Sequence, residues 1–264
     1  MVKNLKNVSQ HVTAGDQLFL EKAWEWIERV ENQYIPVLTD FLNPHQVSLL
    51  RNLASHRELN VFDSADLWPS EQSRVLLAPS YYELNPDDFE LELLSIDFMS
   101  QFGHLTHPQV LGSLLHQTGL DRRVFGDILI GEDQVQIFMQ RPIVELVLQE
   151  VRKIGRLGVK MNVISKSEQL QVQEEAQTKT IFVDSLRLDR LVASSFQLGR
   201  SKAAQLIKSN KVKVNYQERT DVSYPIKAGD RVSIRSKGRV YVGESTGLSK
   251  SGRMKVELKI LARK

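Results

Sequence analysis

The chain has 264 residues, 25% of them charged, a formal net charge of +3 and no cysteine. That length accommodates two or three domains with a real core, and the missing thiols exclude disulfide frameworks, Cys-based zinc sites and cysteine nucleophiles. The small net charge hides a division: residues 1–150 carry 10 Lys+Arg against 22 Asp+Glu, net −12, and residues 151–264 carry 25 against 10, net +15. Such asymmetry points to a polyanionic partner for the basic half, or to two halves that neutralise each other across an interface.

The opening stretch MVKNLKNVSQHVTAGDQ holds no apolar core of signal-peptide length. No run of about 18 apolar residues occurs, so a cytoplasmic protein without membrane contact is expected. Residues 1–80 are predicted to form a mostly helical domain. DQLFLEKAWEWIERV sets Leu20, Trp24, Ile27 and Val30 at helical spacing, with Asp16 as N-cap. NPHQVSLLRNLASH opens with Asn43 as cap and Pro44 at the first helical position, and Val47, Leu50 and Leu53 give its apolar face.

Residues 81–165 change period. FELELLSIDF alternates as a strand, and HPQVLGSLLHQTG is a helix stopping at Gly119. VFGDILIGEDQVQIFMQ is a hairpin around Gly131, Glu132 and Asp133. RPIVELVLQEVRKIG is a helix running from Pro142 to Gly155, and LGVKMNVIS is a last strand. The order βαββαβ is the ferredoxin-like pattern that the RNA-recognition motif shares. The stacking platform of that motif is not legible, because DQVQIFMQ offers Phe138 alone and the glycine-aromatic signature is missing. The polar stretch 166–179 is expected as a linker, and 180–264 as the last domain, giving an α+β fold class overall.

That last domain contains LGRSKAAQLIKSNKVKVN, residues 198–215, with five cations and no carboxylate; the acid-free window runs from Arg190 to Gln217. It reads as two short helices and a strand. Leu188, Leu191 and Val192 face inward from the first helix. Ser201 caps the second, which buries Ala203, Leu206 and Ile207 and stops near Asn210. KVKVN then buries Val212 and Val214. The face left over carries Arg200, Ser201, Lys202, Gln205, Lys208, Lys211 and Lys213, cations interleaved with hydrogen-bonding groups. Phosphate backbones want both, and a helix N-terminus adds free N–H groups. The other reading is a solvated basic surface. RVSIR, RVYVGE and RMKVELKILARK are expected to join KVKVN in a small sheet.

RLDRLVASSFQLGRSKAAQLIKSNKVKVN followed by YPIKAGDRVSI resembles the RNA-binding domain named after small-subunit ribosomal protein four, the S-four domain. The family pattern has R-L-D on the first helix, G-R-S before a basic second helix, V-x-V-N, and a late G-D-x-[VI]. The resemblance implies RNA binding through Arg187, Arg190, Arg200, Ser201, Lys202, Gln205, Lys208, Lys211, Lys213 and Asn215. Two departures are Lys211 and Tyr216, where many members place glycine. Over nearly the whole length, with TDFLNPHQVSLL and LGSLLHQTGLDRRVFGDIL as further segments, the chain resembles the YlmH family. That resemblance implies binding to large ribosomal subunits carrying peptidyl-tRNA during ribosome-associated quality control. It implies structured RNA, rRNA or tRNA, as partner, no DNA specificity, and a protein partner for the acidic half. A division-linked adaptor role is also implied, because the family's genes often lie beside cell-division genes.

No catalytic residue, cofactor or metal is assigned. Pseudouridine synthases need G-R-L-D-x-x-T-[ST]-G-L; RLDRLVASSF lacks its glycine and T-S-G, so Asp189 belongs to the S-four helix. No G-x-G loop for a methyltransferase cofactor occurs. His104, His107 and His116 lack a suitably spaced acidic ligand, and GRLG at 155–158 serves a turn better than a KH-type clamp. An RNA-modifying enzyme or its accessory subunit is the rival reading.

Overall fold

The computed structural model describes residues 14–131, 134–172, 176–249 and 252–262. The opening stretch before Ala14, the hairpin tip Glu132-Asp133, residues 173–175 of the expected linker and the last two residues lie outside these. The chain divides into two compact units, Met1–Val172 and Gln173–Lys264.

In the first unit, α1 (Ala14–Gln33) buries Leu20, Ala23, Ile27 and Val30. Trp24 is only half-buried: its Nε1 donates to Glu28 at 2.9 Å, and the Arg57 guanidinium lies 4.4 Å over its ring. Asp16 is not the N-cap. It sits within the first turn, 3.1 Å from His45 Nε2, where its charge meets the helix N-terminus from inside. α2 (Pro44–Ala54) starts as expected: Asn43 accepts from the Gln46 N–H and Gln46 accepts from the Asn43 N–H, both at 3.0 Å.

Residues 14–80 are not helical alone. They also hold β1 (Val37–Leu42), β2 (Leu59–Asp63) and β3 (Ser73–Pro79), an antiparallel sheet in the order β1-β3-β2. Central β3 is buried along its whole length, so SRVLLAP has no polar-apolar alternation to announce a strand. α1 and α2 pack on one face of this sheet through Ile27, Leu50, Val75 and Leu77.

The second half of the unit contains β4 (Leu91–Phe98), α3 (His107–Thr118), β5 (Phe125–Ile130), β6 (Val135–Gln140), α4 (Val144–Glu150), β7 (Lys153–Ile154) and β8 (Leu157–Ile164). All neighbours are antiparallel, in the order β5-β6-β4-β8-β7. α3 ends on Gly119 in the left-handed region, φ +67°. The next helix stops at Glu150, short of Gly155. Lys153 and Ile154 pair instead with Gly158 and Leu157, and Gly155, at φ +58°, begins the intervening turn. GRLG is therefore a hairpin turn.

α3 and α4 cover one face of this sheet, through Val110, Leu114 and Val147. The opposite face is covered too. Phe138 is 2% exposed and packs with Phe41 and Leu76 of the N-terminal sheet and with Phe89 and Leu93. Gly126 permits this approach: a Cβ there would lie 2.5 Å from Phe41 Cε1 and 2.9 Å from Phe138 Cβ. Polar ties flank the apolar contact. Buried Arg74 donates to the carbonyls of Thr39 (2.8 Å), Phe89 (2.8 Å) and Glu90 (3.1 Å). Burial pulls its pKa down, opposed by Glu90 and Asp40. Asp127 accepts from the Glu71 and Gln72 N–H groups, and burial raises its carboxyl pKa against those two donors.

The second unit has β9 (Gln177–Val183), α5 (Leu188–Ser195), α6 (Arg200–Lys208), β10 (Val212–Val214), β11 (Gln217–Glu218), β12 (Arg231–Ile234), β13 (Gly238–Leu248) and β14 (Met254–Ala262). Its sheet runs β11-β10-β12-β13-β14-β9, antiparallel throughout. β9 begins inside the stretch expected as linker, and Leu170 of that stretch is part of the first unit, where its N–H bonds Gln136 Oε1 at 2.8 Å. α5 and α6 share one core with Val212, Val214, Val232 and Val240, so both lie on a single face of the sheet.

Candidate nucleic-acid interface

The basic segment is held in place by local structure that leaves the cations of α6 exposed. Leu188, Leu191, Val192, Ala203 and Ile207 are at most 1% exposed and anchor α5 and α6. Gly199, not Ser201, is the N-cap of α6, and no side chain bonds its first turn. Ser201 lies inside the helix. The N-terminal N–H groups are thus left to solvent or ligand beside Arg200 and Lys202. At the other end Asn210 is left-handed, φ +54°; its N–H bonds Ile207 O at 3.2 Å and the Lys211 N–H bonds Leu206 O at 3.1 Å. These two bonds close a Schellman motif. The left-handed residue is Asn210, so Lys211 can stand where relatives use glycine.

The ten residues expected to bind RNA fall into three groups. Arg200, Ser201, Lys202, Gln205 and Lys208 are exposed together on α6, and Lys211 follows in the turn. Gln205 Oε1 accepts from Lys202 Nζ at 3.3 Å. Arg200, Lys202, Lys208 and Lys211 make no ion pair among the described residues, and α6 carries no carboxylate. Lys213 is separate. Because Val212 and Val214 face the helices, Lys213 projects from the opposite face of the sheet, 3.9 Å from Glu218. The single face read from sequence is therefore split by the thickness of the sheet.

The third group is occupied within the fold. Arg187, the N-cap of α5, donates to both oxygens of Asp189 at 3.0 and 3.1 Å, and Asp189 also accepts from the Arg190 N–H at 2.9 Å. Partial burial would raise the Asp189 pKa, but the Arg187 hydrogen bonds and charge prevail and hold it below the carboxylate range. Arg190 donates to Asp184 at 3.2 Å. Asn215 donates to Asp230 at 2.8 Å and accepts from the Arg231 N–H at 2.9 Å. Asn215 and Tyr216, at φ +47° and +70°, form the two-residue turn joining β10 to β11. This is the pattern of a type I′ hairpin, which favours Asn-Gly. Tyr216 takes the glycine position with its ring against Arg231, 4.4 Å from the guanidinium carbon to the ring centre.

Sequence reading missed the cations that share the Lys213 face: Arg231, Arg239, Lys255 and Lys259. The signal was present, because RVSI, GRVYV and KVELK set each of them next to a valine or leucine in an alternating strand pattern. Phe138 is sealed in the core, which removes the one candidate base platform of the middle domain. No group of three or more His, Asp or Glu among the described residues is arranged to hold a metal ion. No helix among them is long and apolar enough to cross a membrane.

A basic, uncapped helix packed on a small sheet defines an S4-type RNA-binding module, and the S4 domain model matches residues 186–232. Two further family models match, "YlmH, N-terminal" over residues 16–82 and "Putative RNA-binding domain in YlmH" over residues 85–168. The "Ribosome-associated protein quality control protein P2" of Bacillus subtilis is 30% identical over 252 residues, covering 96% of this chain and 98% of that one. The chain belongs to the YlmH family. A solved structure, "Cell division protein ylmH from Streptococcus pneumoniae", is 39% identical with a TM-score of 0.55, covering 61% of this chain and 98% of that one.

Proposed function

We propose that the protein is a non-catalytic binder of structured RNA that acts on the ribosome and contacts phosphates through the exposed face of α6. The observation that carries this reading is the set of four cations without ion-pair partners among the described residues, three on a helix without a carboxylate and Lys211 in the turn that follows it, within an S4 match. In such a face every charge is available to replace counterions on a phosphate backbone. The name of the Bacillus subtilis relative supports the ribosome as the setting and quality control as the process. The finer role is to bind the large subunit carrying peptidyl-tRNA while a stalled chain is extended. Residues 1–172 then serve as a protein-facing adaptor, since they are acidic and their central sheet is covered on both faces.

Fractionation of ribosomes from cells expressing the tagged protein, with crosslinking to locate the bound RNA, tests this. Co-migration with large subunits and crosslinks to rRNA or tRNA from the α6 peptide are expected. Migration only with free protein would contradict the reading. The name of the Streptococcus pneumoniae relative favours a second reading, a division-linked adaptor. That reading predicts septal localisation that survives loss of the α6 cations.

A further inference from the structure

The outer face of the second unit's sheet, turned away from α5 and α6, is exposed along β14 and half-buried at Arg231, Arg239 and Tyr241 of β12 and β13. β14 shows it most clearly: Lys255, Glu257 and Lys259 are exposed while Val256, Leu258 and Ile260 are buried. Strand register then places the neighbours. Arg231 pairs with Tyr241, Tyr241 with Lys259, Lys213 with Ser233, Ser233 with Arg239, and Lys255 with Phe182. Among the described residues the face therefore carries five cations, Lys213, Arg231, Arg239, Lys255 and Lys259, with Glu218, Glu257 and the bulge residue Glu244 beside them. Neighbouring strands lie about 4.8 Å apart, so cations two strands apart are roughly 10 Å apart, within one or two nucleotides of extended chain. Arg231 sits between Tyr216 and Tyr241, at 4.4 and 5.9 Å from their ring centres. Farther along β9, Phe182 is 52% exposed. Of these residues only Lys213, Tyr216, Glu218 and Arg231 lie within the matched S4 segment, so β9, β13 and β14 supply the rest.

We propose that this outer face binds an unpaired segment of RNA, with Tyr241 and Phe182 as base platforms and Arg239, Lys255 and Lys259 along the phosphates. Cations set between aromatic planes on an open sheet are the arrangement that holds single strands, because every base offers a π face and every linkage a charge. An acidic protein would meet the same cations, but the Tyr216–Arg231–Tyr241 stack favours flat, stackable groups and hence RNA. The surface is distinct from α6. A structured RNA with a single-stranded flank could engage both.

The test uses the full chain, a fluorescent uridine decamer and a blunt RNA hairpin of equal length. The variants are Phe182→Thr/Lys255→Thr/Lys259→Thr, all at exposed positions, and separately Tyr241→Leu, with folding checked by circular dichroism. Loss of one base–aromatic stack should weaken decamer binding about 5- to 150-fold. The two lost phosphate contacts should flatten its salt slope by about 1.4. Hairpin affinity should stay within about twofold. Unchanged decamer affinity in the folded triple variant overturns the proposal and leaves the face to an acidic protein or to solvent. Decamer binding lost only with the α6 cations overturns it equally, while leaving the α6 reading intact.

Discussion

Arg187 and Asp189 face one another at the head of α5, with Nε 3.0 Å from Oδ1 and Nη2 3.1 Å from Oδ2. The pair sits where an R-L-D signature could have suggested either catalysis or an RNA contact. Its geometry gives a structural task. The aspartate fixes Arg187 and receives the Arg190 N–H, stapling the first turn of the helix that supports α6.

Asp189→Asn should destabilise the protein modestly, by about 0.2–1 kcal/mol, because Arg187 remains partly solvated. The folded-state pKa is depressed, so the contribution is complete above the unfolded value of about 3.9 and disappears as pH falls through the folded value. Urea unfolding between pH 7 and pH 3 should show the gap between wild type and variant closing toward the acid end. RNA affinity should change little. A folded variant that loses RNA binding would place Asp189 in the interface instead.

Gly126→Ala should cost about 1–3 kcal/mol, since its Cβ must displace the Phe41 ring or the Phe138 stem. Phe138→Ala should cost about 3–5 kcal/mol by opening the same core. Both are read by thermal unfolding, and neither should alter the RNA affinity of the protein that remains folded. Weaker RNA binding by a folded Phe138 variant would mean that the middle sheet contacts bases after all.

Asn210→Ala should destabilise the second unit by a fraction of the about 1–2 kcal/mol that the left-handed region costs a Cβ-bearing residue, because Asn tolerates that region better than Ala. Asn210→Gly should be neutral or stabilising. Chemical denaturation of the two variants provides the comparison. Equal stabilities would show that the helix stop does not depend on residue 210.

Much of this was legible in the sequence, for identifiable reasons. The capping box at Asn43, the glycine stop at Gly119 and the alternation in KVKVN each carry a local signal that tertiary packing did not override. β3 was hidden because burial on both faces erases alternation. The helix stop at Glu150 was missed because RKIG looked like a helical last turn, while β8 recruits Lys153 and Ile154 as a strand. The α6 cations were visible as an acid-free run. The division of Lys213 from Arg200 was not, because it depends on which side of the sheet the helices pack. The partners of Arg187, Arg190 and Asn215 bridge short loops and long ones alike, and composition cannot show them.

The two units should also separate in solution. Residues 173–264 contain their own core and should fold alone and retain RNA binding, while the acidic fragment 1–172 should not bind bare RNA at physiological salt. Circular dichroism and filter binding on the two fragments check this. A disordered 173–264, or tight RNA binding by 1–172, would contradict it.

The salt dependence of RNA binding by Arg200→Ala/Lys202→Ala/Lys208→Ala tests the central claim most directly. The three side chains are exposed and make no ion pair among the described residues, so removing them should leave stability within about 0.5 kcal/mol. Affinity for structured RNA should fall across sequences alike, and the slope of log K against log salt should flatten by roughly 2–3 if all three meet phosphates. A folded variant with the affinity and salt slope of the wild type would contradict the account and return α6 to an ordinary solvated surface.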